Sequence, residues 1–497
     1  MSAHVKKIVI VGGGEAGWMT AAAMSKLLNR ADLTIELVES LNTDSVGAGE
    51  GTIPQIKLFH QLLGINEDEF IRKTKATFKY GIEFVNWQTL GHSYMHPFGS
   101  IGQNFAGVEF HHYWNKMMKN GTASDLQNYS FNSAAAKSGK VLSAENVPHL
   151  PLSNVAYAYH FDASLYVAFL KEIALNHGVK HVEAIVDDVH IDPDNGHIEK
   201  IILDSGASLS GDLFIDCSGF RGLLIEEALK TGYESWQHWL PCDSAIVVPS
   251  IDTEKLAPYT RSTAQVAGWQ WKIPLQHEMG NGFVYSSQFI SDDQAKEILL
   301  RDIEGEVIDE PKIIRFKAGI RHKQWHKNCV AIGLSSGFVE PLESTAIHLI
   351  QSAISRLMAL FPTVDMPEIL QDTYNKQSRA EMEKIRDFII LHYKVTDRDD
   401  SEFWRYCRDM DIPDTLINKI ELFCSQGRIF QEDGELFNPT SWLSVMVGQG
   451  LMAQQYHPLV DNLSSEEIIN RLNKVENVIK KTVEVMPTHP AVMKTTF

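Results

Sequence analysis

Lys7-Ile-Val-Ile-Val-Gly12-Gly13-Gly14-Glu15-Ala16-Gly17 is the stretch whose reading decides the fold. Residues 7–11 are apolar and largely β-branched, the pattern of a short parallel strand buried on both faces. From Trp18 to Leu28 the chain combines good helix formers with helical apolar spacing. A second strand-like run, Leu33 to Glu39, follows. The glycines between strand and helix stand as GxGxxG, and that context gives the pattern its mechanism. Gly12 permits the tight turn, Gly14 lets the backbone approach a pyrophosphate, and Gly17 lets helix and strand pack closely. With Glu15 and Ala16, the turn offers a helix N-terminus to the phosphates. Glu39, 22 residues beyond Gly17, can accept hydrogen bonds from ribose hydroxyls. The prediction is dinucleotide binding, with NAD and FAD both open.

Further out, residues 179–190 and 197–203 alternate like strands around the turn Pro193-Asp-Asn-Gly196. Leu213–Cys217 and Cys329–Gly333 read as further short buried strands. From about residue 345 helical spacing takes over, at 347–361, 366–395 and 411–425. The fold class is therefore α/β, with a boundary near 365. The net charge of −18 repels phosphate backbones, and no basic patch offsets it, so nucleic acid is excluded as a partner. Five scattered cysteines with no CxxC fit a reducing compartment without disulfides or structural zinc. His92/His96 and His322/His326 have helical ligand spacing, but no third ligand accompanies either pair, and Pro97 disfavours a helix at the first. No metal is predicted. The N-terminus lacks signal-peptide features and no apolar run reaches 18 residues, so a cytoplasmic protein without a membrane anchor is expected.

Three more segments narrow the cofactor. Phe78-Lys79-Tyr80-Gly-Ile-Glu-Phe-Val-Asn-Trp87 carries a lysine in an otherwise apolar stretch. Trp269-Gln-Trp271-Lys-Ile273-Pro274 is a WxWxIP box, and Gly333-Leu334 to Glu343-Ser-Thr345-Ala346-Ile347 follows the strand at Cys329. Together with the glycine turn, and with His96-Pro97-Phe98, Tyr159–Asp162, Asp216–Gly222 and Ile385–His392, they resemble the flavin-dependent tryptophan halogenase family from Ile8 to about Asp461. The resemblance implies an FAD-binding, Rossmann-type, flavin monooxygenase-like domain over 1–365, with substrate-side insertions at about 80–150. A mainly helical region, 366–497, would complete the substrate site. It implies an FADH2-dependent halogenase that uses O2 to oxidise chloride or bromide to hypohalous acid. The acceptor would be an electron-rich aromatic such as indole or a derivative. FADH2 would come from a separate NAD(P)H-dependent flavin reductase, and a homodimer stays open. The alternatives are a flavin monooxygenase or oxidoreductase on the same fold, and a non-catalytic FAD-binding protein.

The resemblance also assigns roles. Lys79 would hydrogen-bond and polarise hypohalous acid or, as a free amine that burial would make available, form an N-haloamine. Glu343 would stabilise the cationic ring and assist proton loss. Thr345 and Ala346 would bind halide through backbone N–H groups at a helix start. Gly49, in the loop Val46–Pro54, together with Leu334 and Ile347, would contact flavin, and Val186 would contact the adenine side of the cofactor. His96, Pro97 and Phe98 would line the aromatic substrate. Trp269, Trp271, Ile273 and Pro274 form a signature that shields the flavin from substrate. A surface lysine and a helix-start carboxylate are the competing readings of Lys79 and Glu343, and strand-edge packing that of the tryptophans. Between Ser441 and Pro458 nothing matches the clamp that holds the amino-acid backbone in tryptophan-specific relatives, so indole or another aromatic competes with free tryptophan.

Overall fold

Strand Lys7–Val11 lies between two parallel neighbours, Thr34–Glu39 and Leu213–Asp216, in a computed structural model that describes residues 3–40, 49–142, 155–251 and 256–496. Ile8, Val9 and Ile10 are wholly buried, as expected for a strand covered on both faces. The sheet runs in the order Trp325–His326, Cys329–Ala331, Leu213–Asp216, Lys7–Val11, Thr34–Glu39, Lys180–Glu183, and only the first of these strands is antiparallel. Helix Glu15–Leu27 packs on helix Ala163–Asn176; its run Ala21-Ala22-Ala23 is buried, and small side chains allow close approach. The expected continuous strand over 179–190 is divided. Lys180–Glu183 joins the parallel sheet, whereas Val186–Ile191 turns away to form an antiparallel hairpin with Ile198–Leu203. The break is held by the Ala184 N–H on the Glu39 carbonyl and the Asp204 N–H on the Ile185 carbonyl.

These elements belong to a first compact unit, Met1–Lys75, Phe161–Asp243 and Ile314–Glu383. A second is formed by Ala76–His160, Ser244–Ile313 and Lys384–Phe497. Its sheet follows the order Glu306–Val307, Ser244–Ile251, Met279–Tyr285, Gly268–Pro274, Thr260–Gln265, Gly81–Val85, Ser93–Pro97. All pairs are antiparallel except Thr260–Gln265 with Gly81–Val85. The sequence expectations contain no such sheet. Thr260–Gln265 is mostly polar and Met279–Tyr285 carries two glycines and an asparagine, so neither announces a strand by propensity.

Helices Ala346–Ala359, Glu368–Lys394 and Asp414–Gln426 stand where helical spacing places them. Past Phe338 no strand follows among the described residues. The expected boundary near 365 is linear, whereas the units defined by contacts are interleaved, and the last crossing falls within helix Glu368–Lys394. Strands distant in sequence must pair in each sheet, which a single cut cannot express. No helix among the described residues is long and apolar enough to cross a membrane.

Candidate active site

In the first unit the three motif glycines have distinct steric reasons. Gly12 has φ +116°, and a Cβ there would stand 2.1 Å from the Cys217 carbonyl oxygen. A Cβ on Gly17 would stand 1.8 Å from the Gly12 oxygen. At Gly14, a Cβ would meet nothing within 4 Å, so the backbone faces open space. Gly14 is also the N-cap of helix Glu15–Leu27, and no side chain caps that end. Burial pushes the Glu15 carboxyl up, against a smaller opposing hydrogen bond from its own backbone. The Glu39 carboxylate lies over Gly13, where any Cβ would collide with Oε2. Trp18 Nε1–H donates to that oxygen at 3.2 Å; Lys171 Nζ and His181 Nε2 meet Oε1 at 2.9 and 2.7 Å. A carboxylate has about four acceptor positions, so a ribose hydroxyl can still be served. Open backbone, uncapped helix and fixed carboxylate together fit a dinucleotide.

Around this cradle, the turn Gly333–Ser335 brings Leu334 beside the start of the helix: a Cβ on Gly333 would come within 2.7 Å of Ala16 Cβ. Val186 is buried in one cluster with Val11 and Val38, and Ile347 is buried in helix Ala346–Ala359. Gly49 takes φ +69°; Val46, Gly47 and Ala48 of the expected flavin loop lie outside the described residues. Glu343 is 1% exposed and ends the turn Pro341–Glu343. Ser344 follows in the left-handed region at φ +58°, and helix Ala346–Ala359 starts from Thr345 without a side-chain cap. The Thr345 hydroxyl is buried and has no hydrogen-bond partner among the described residues. Farther along, His348, Ser352 and Arg356 lie on one stripe of the helix and converge on Glu381. Burial opposes ionisation of Glu381, but these partners, His348 foremost, outweigh it and pull its carboxyl down to about 2.

Lys79 stands in the second unit, at the end of strand Thr77–Lys79, which pairs antiparallel with 158–160. It is 0% exposed, and its Nζ lies 5.6 Å from the centre of the Phe98 ring. The pairs Gly81↔Pro97 and Ile82↔His96, with the Phe98 N–H on the Tyr80 carbonyl, bring His96, Pro97 and Phe98 alongside the lysine. His96 meets Phe388 at 5.7 Å and Phe437 at 6.2 Å; Phe388 stacks on Phe437 and contacts Trp442. The tryptophan box is no sheet edge, since Gly268–Pro274 is paired on both sides. Trp271 lies opposite Gly282, whose missing side chain makes room for the indole. Trp269 is buried against Trp87. Ile273 is buried, and the Pro274 carbonyl accepts the Thr77 hydroxyl at 2.6 Å, tying the box to the lysine strand.

Some residues that shape the site had no assigned role. Asp216, inside the quoted segment 216–222, accepts from the backbone N–H groups of Ser218, Leu224 and Ile225 and from the Ser218 hydroxyl. His160, inside the quoted segment 159–162, bridges the hydroxyls of Thr77 and Thr260. Burial, then the charge of Lys79 and nearby His489, holds His160 far below the usual histidine range. His489 has no sequence signal; only folding brings it to the lysine strand.

The family model described as tryptophan halogenase matches residues 7–465. A tryptophan 6-halogenase from Streptomyces toxytricini is 35% identical over 492 residues, covering 93% of each chain. Among solved structures, a flavin-dependent halogenase from Xanthomonas campestris superimposes with a TM-score of 0.95 at 43% identity, covering 99% of this chain and 98% of the other. Another from Brevundimonas sp. gives 0.95 at 44% identity, covering 99% of both.

Proposed function

The chain belongs to the tryptophan halogenase family and is a flavin-dependent halogenase, and from that premise we propose that Lys79 and Glu343 carry the transfer of halogen to an electron-rich aromatic such as indole or an indole derivative. The observation that carries this reading is Lys79 itself: fully buried, at the end of a strand, beside the face of Phe98. When bound, reduced FAD would supply two of the four electrons that O2 takes up and chloride or bromide the other two, giving hypohalous acid and water, and a separate NAD(P)H-dependent reductase would return the flavin to its reduced form. Thr345 and Ala346 bind the halide, supported by the uncapped helix start and the unpartnered Thr345 hydroxyl.

Lys79 Nζ–H donates to the oxygen of hypohalous acid and polarises the oxygen–halogen bond. A ring carbon attacks the halogen, that bond breaks, and the oxygen leaves as water with a proton from Lys79. Glu343 stabilises the cationic ring and removes its proton, so that one aromatic C–H and one hypohalous acid become one C–X and one water. His96 and Phe98 supply faces for a flat substrate, backed by Phe388 and Phe437. The five free thiols suit a cytoplasmic setting.

The test combines purified protein, FAD, a flavin reductase with NADH, O2, indole, and chloride or bromide, with products read by mass spectrometry. A halogenated indole is expected. A hydroxylated product would instead indicate a monooxygenase. Lys79→Ala is expected to lower product formation by about 10²- to 10⁴-fold with flavin binding intact; full activity in that variant would remove Lys79 from the mechanism.

A further inference from the structure

The backbone that carries Lys79 has an unusual partner on its far edge. Strand Thr77–Lys79 pairs on one side with 158–160. On the other side the Tyr80 N–H donates to the Pro258 carbonyl at 2.7 Å. A parallel ladder continued in this register would join the Phe78 N–H to the Leu256 carbonyl two residues earlier. The imidazole of His489 stands between them instead. The Phe78 N–H donates to His489 Nε2 at 3.1 Å, and His489 Nδ1 donates to the Leu256 carbonyl at 2.9 Å.

The side chain thus occupies the place of a missing peptide: it accepts where a carbonyl would and donates where an N–H would. Only the neutral Nδ1–H tautomer does both. Burial holds His489 in that form, bringing its pKa down to about 4 against the opposing effect of the Leu256 carbonyl. The residue is wholly buried at the first position of helix His489–Thr496, and its own N–H is anchored on the Gly139 carbonyl. It lies beyond residue 465, where the family match ends.

We propose that His489 is a positioning residue for Lys79, its neutral imidazole completing the ladder that sets the backbone from which the lysine projects. The inference rests on the assignment of Lys79 above. His489 does not touch the reacting atoms; it acts through the Phe78 peptide, so its loss moves Lys79 without altering halide or flavin binding.

The experiment compares His489→Gln, His489→Asn and His489→Leu with Lys79→Ala in the complete halogenation assay. It reads kcat, the KM for halide, FAD affinity, and hydrogen exchange of the peptide containing Phe78. Gln reaches the Phe78 N–H as an acceptor and is expected within about threefold of the parent kcat. Leu is expected to lower kcat tenfold or more, with halide KM and FAD affinity within twofold and faster exchange at Phe78. Parent-like kcat in His489→Leu, with Lys79→Ala inactive, overturns the inference alone. Activity in Lys79→Ala overturns the reading beneath it. Should His489→Leu not fold, Gln against Asn decides, because Asn is one carbon too short for Phe78; equal kcat in the two refutes the positioning role.

Discussion

In the first unit most of the candidate chemistry, the Glu343 carboxylate apart, is carried by backbone. Gly12, Gly14 and Gly17 shape a turn, and what they offer a ligand is N–H groups at a helix start. In the second unit it is carried by one buried side chain, Lys79, whose setting is assembled from Phe98, His160, Pro274 and His489. A backbone site can be written in six consecutive residues, since its geometry is local. A side-chain site inside a sheet needs partners hundreds of positions away, and its stability depends on burial and tautomer more than on turn chemistry.

The sharpest break of this contrast lies within the glycine turn. Gly17→Ala forces a methyl into the Gly12 carbonyl and is expected to destabilise the protein by at least about 3 kcal/mol, read by urea unfolding. Gly14→Ala adds the same methyl to open space, so the fold should hold while FAD affinity falls. Equal stability losses in the two variants would contradict the division of roles between them.

Next comes the brace behind helix Ala346–Ala359. Glu381→Ala leaves Arg356 and His348 without their shared partner and is expected to cost about 3 kcal/mol. With its folded pKa near 2 and a usual value of 4.5, Glu381 stabilises fully above pH 4.5 and loses that contribution as pH falls toward 2. The buried histidines act in a higher window. His489 falls to about 4 and His160 well below 6.5 in the second unit, as His60 does in the first, to about 3. Their folded values lie under the unfolded 6.5, so their contribution is whole above pH 6.5 and is lost as pH drops below it. His489 and His60 are each expected to remove about 1–2 kcal/mol by pH 5, and His160 acts in the same direction. Burial also lowers His111 and His112 in the second unit, against only the half-buried His197 and His326 in the first, so the second unit should gain more hydrogen exchange between pH 7 and 5; equal gains in both units would undo the contrast.

The same contrast explains what was legible. The strand, turn and helix from Lys7 to Leu27 could be read because adjacent residues make them. The run 179–190 was misread as one strand because its break depends on Glu39 and Asp204, which periodicity does not see. The strands at 260–265 and 279–285 are polar or glycine-rich and acquire their form from neighbours in the sheet. Lys79 and Glu343 are candidates through matched segments alone, and the sequence does not show the burial that sets them apart from surface charges. His489 was invisible because nothing near it in sequence concerns Lys79.

Thr345 gives the smallest and most discriminating effect, since it is a side chain at a backbone site. Its hydroxyl is buried without a partner among the described residues, a condition that costs free energy unless a ligand relieves it. Thr345→Val keeps the shape and deletes the orphan. Without halide the variant should therefore be more stable by up to about 1 kcal/mol in thermal unfolding. With halide as a reactant it should lose one donor, raising the halide KM about fivefold while Thr345→Ser stays near the parent. The two signs must appear together. Increased stability with an unchanged halide KM would leave the backbone N–H groups as the whole halide site and the hydroxyl as an unrelieved strain.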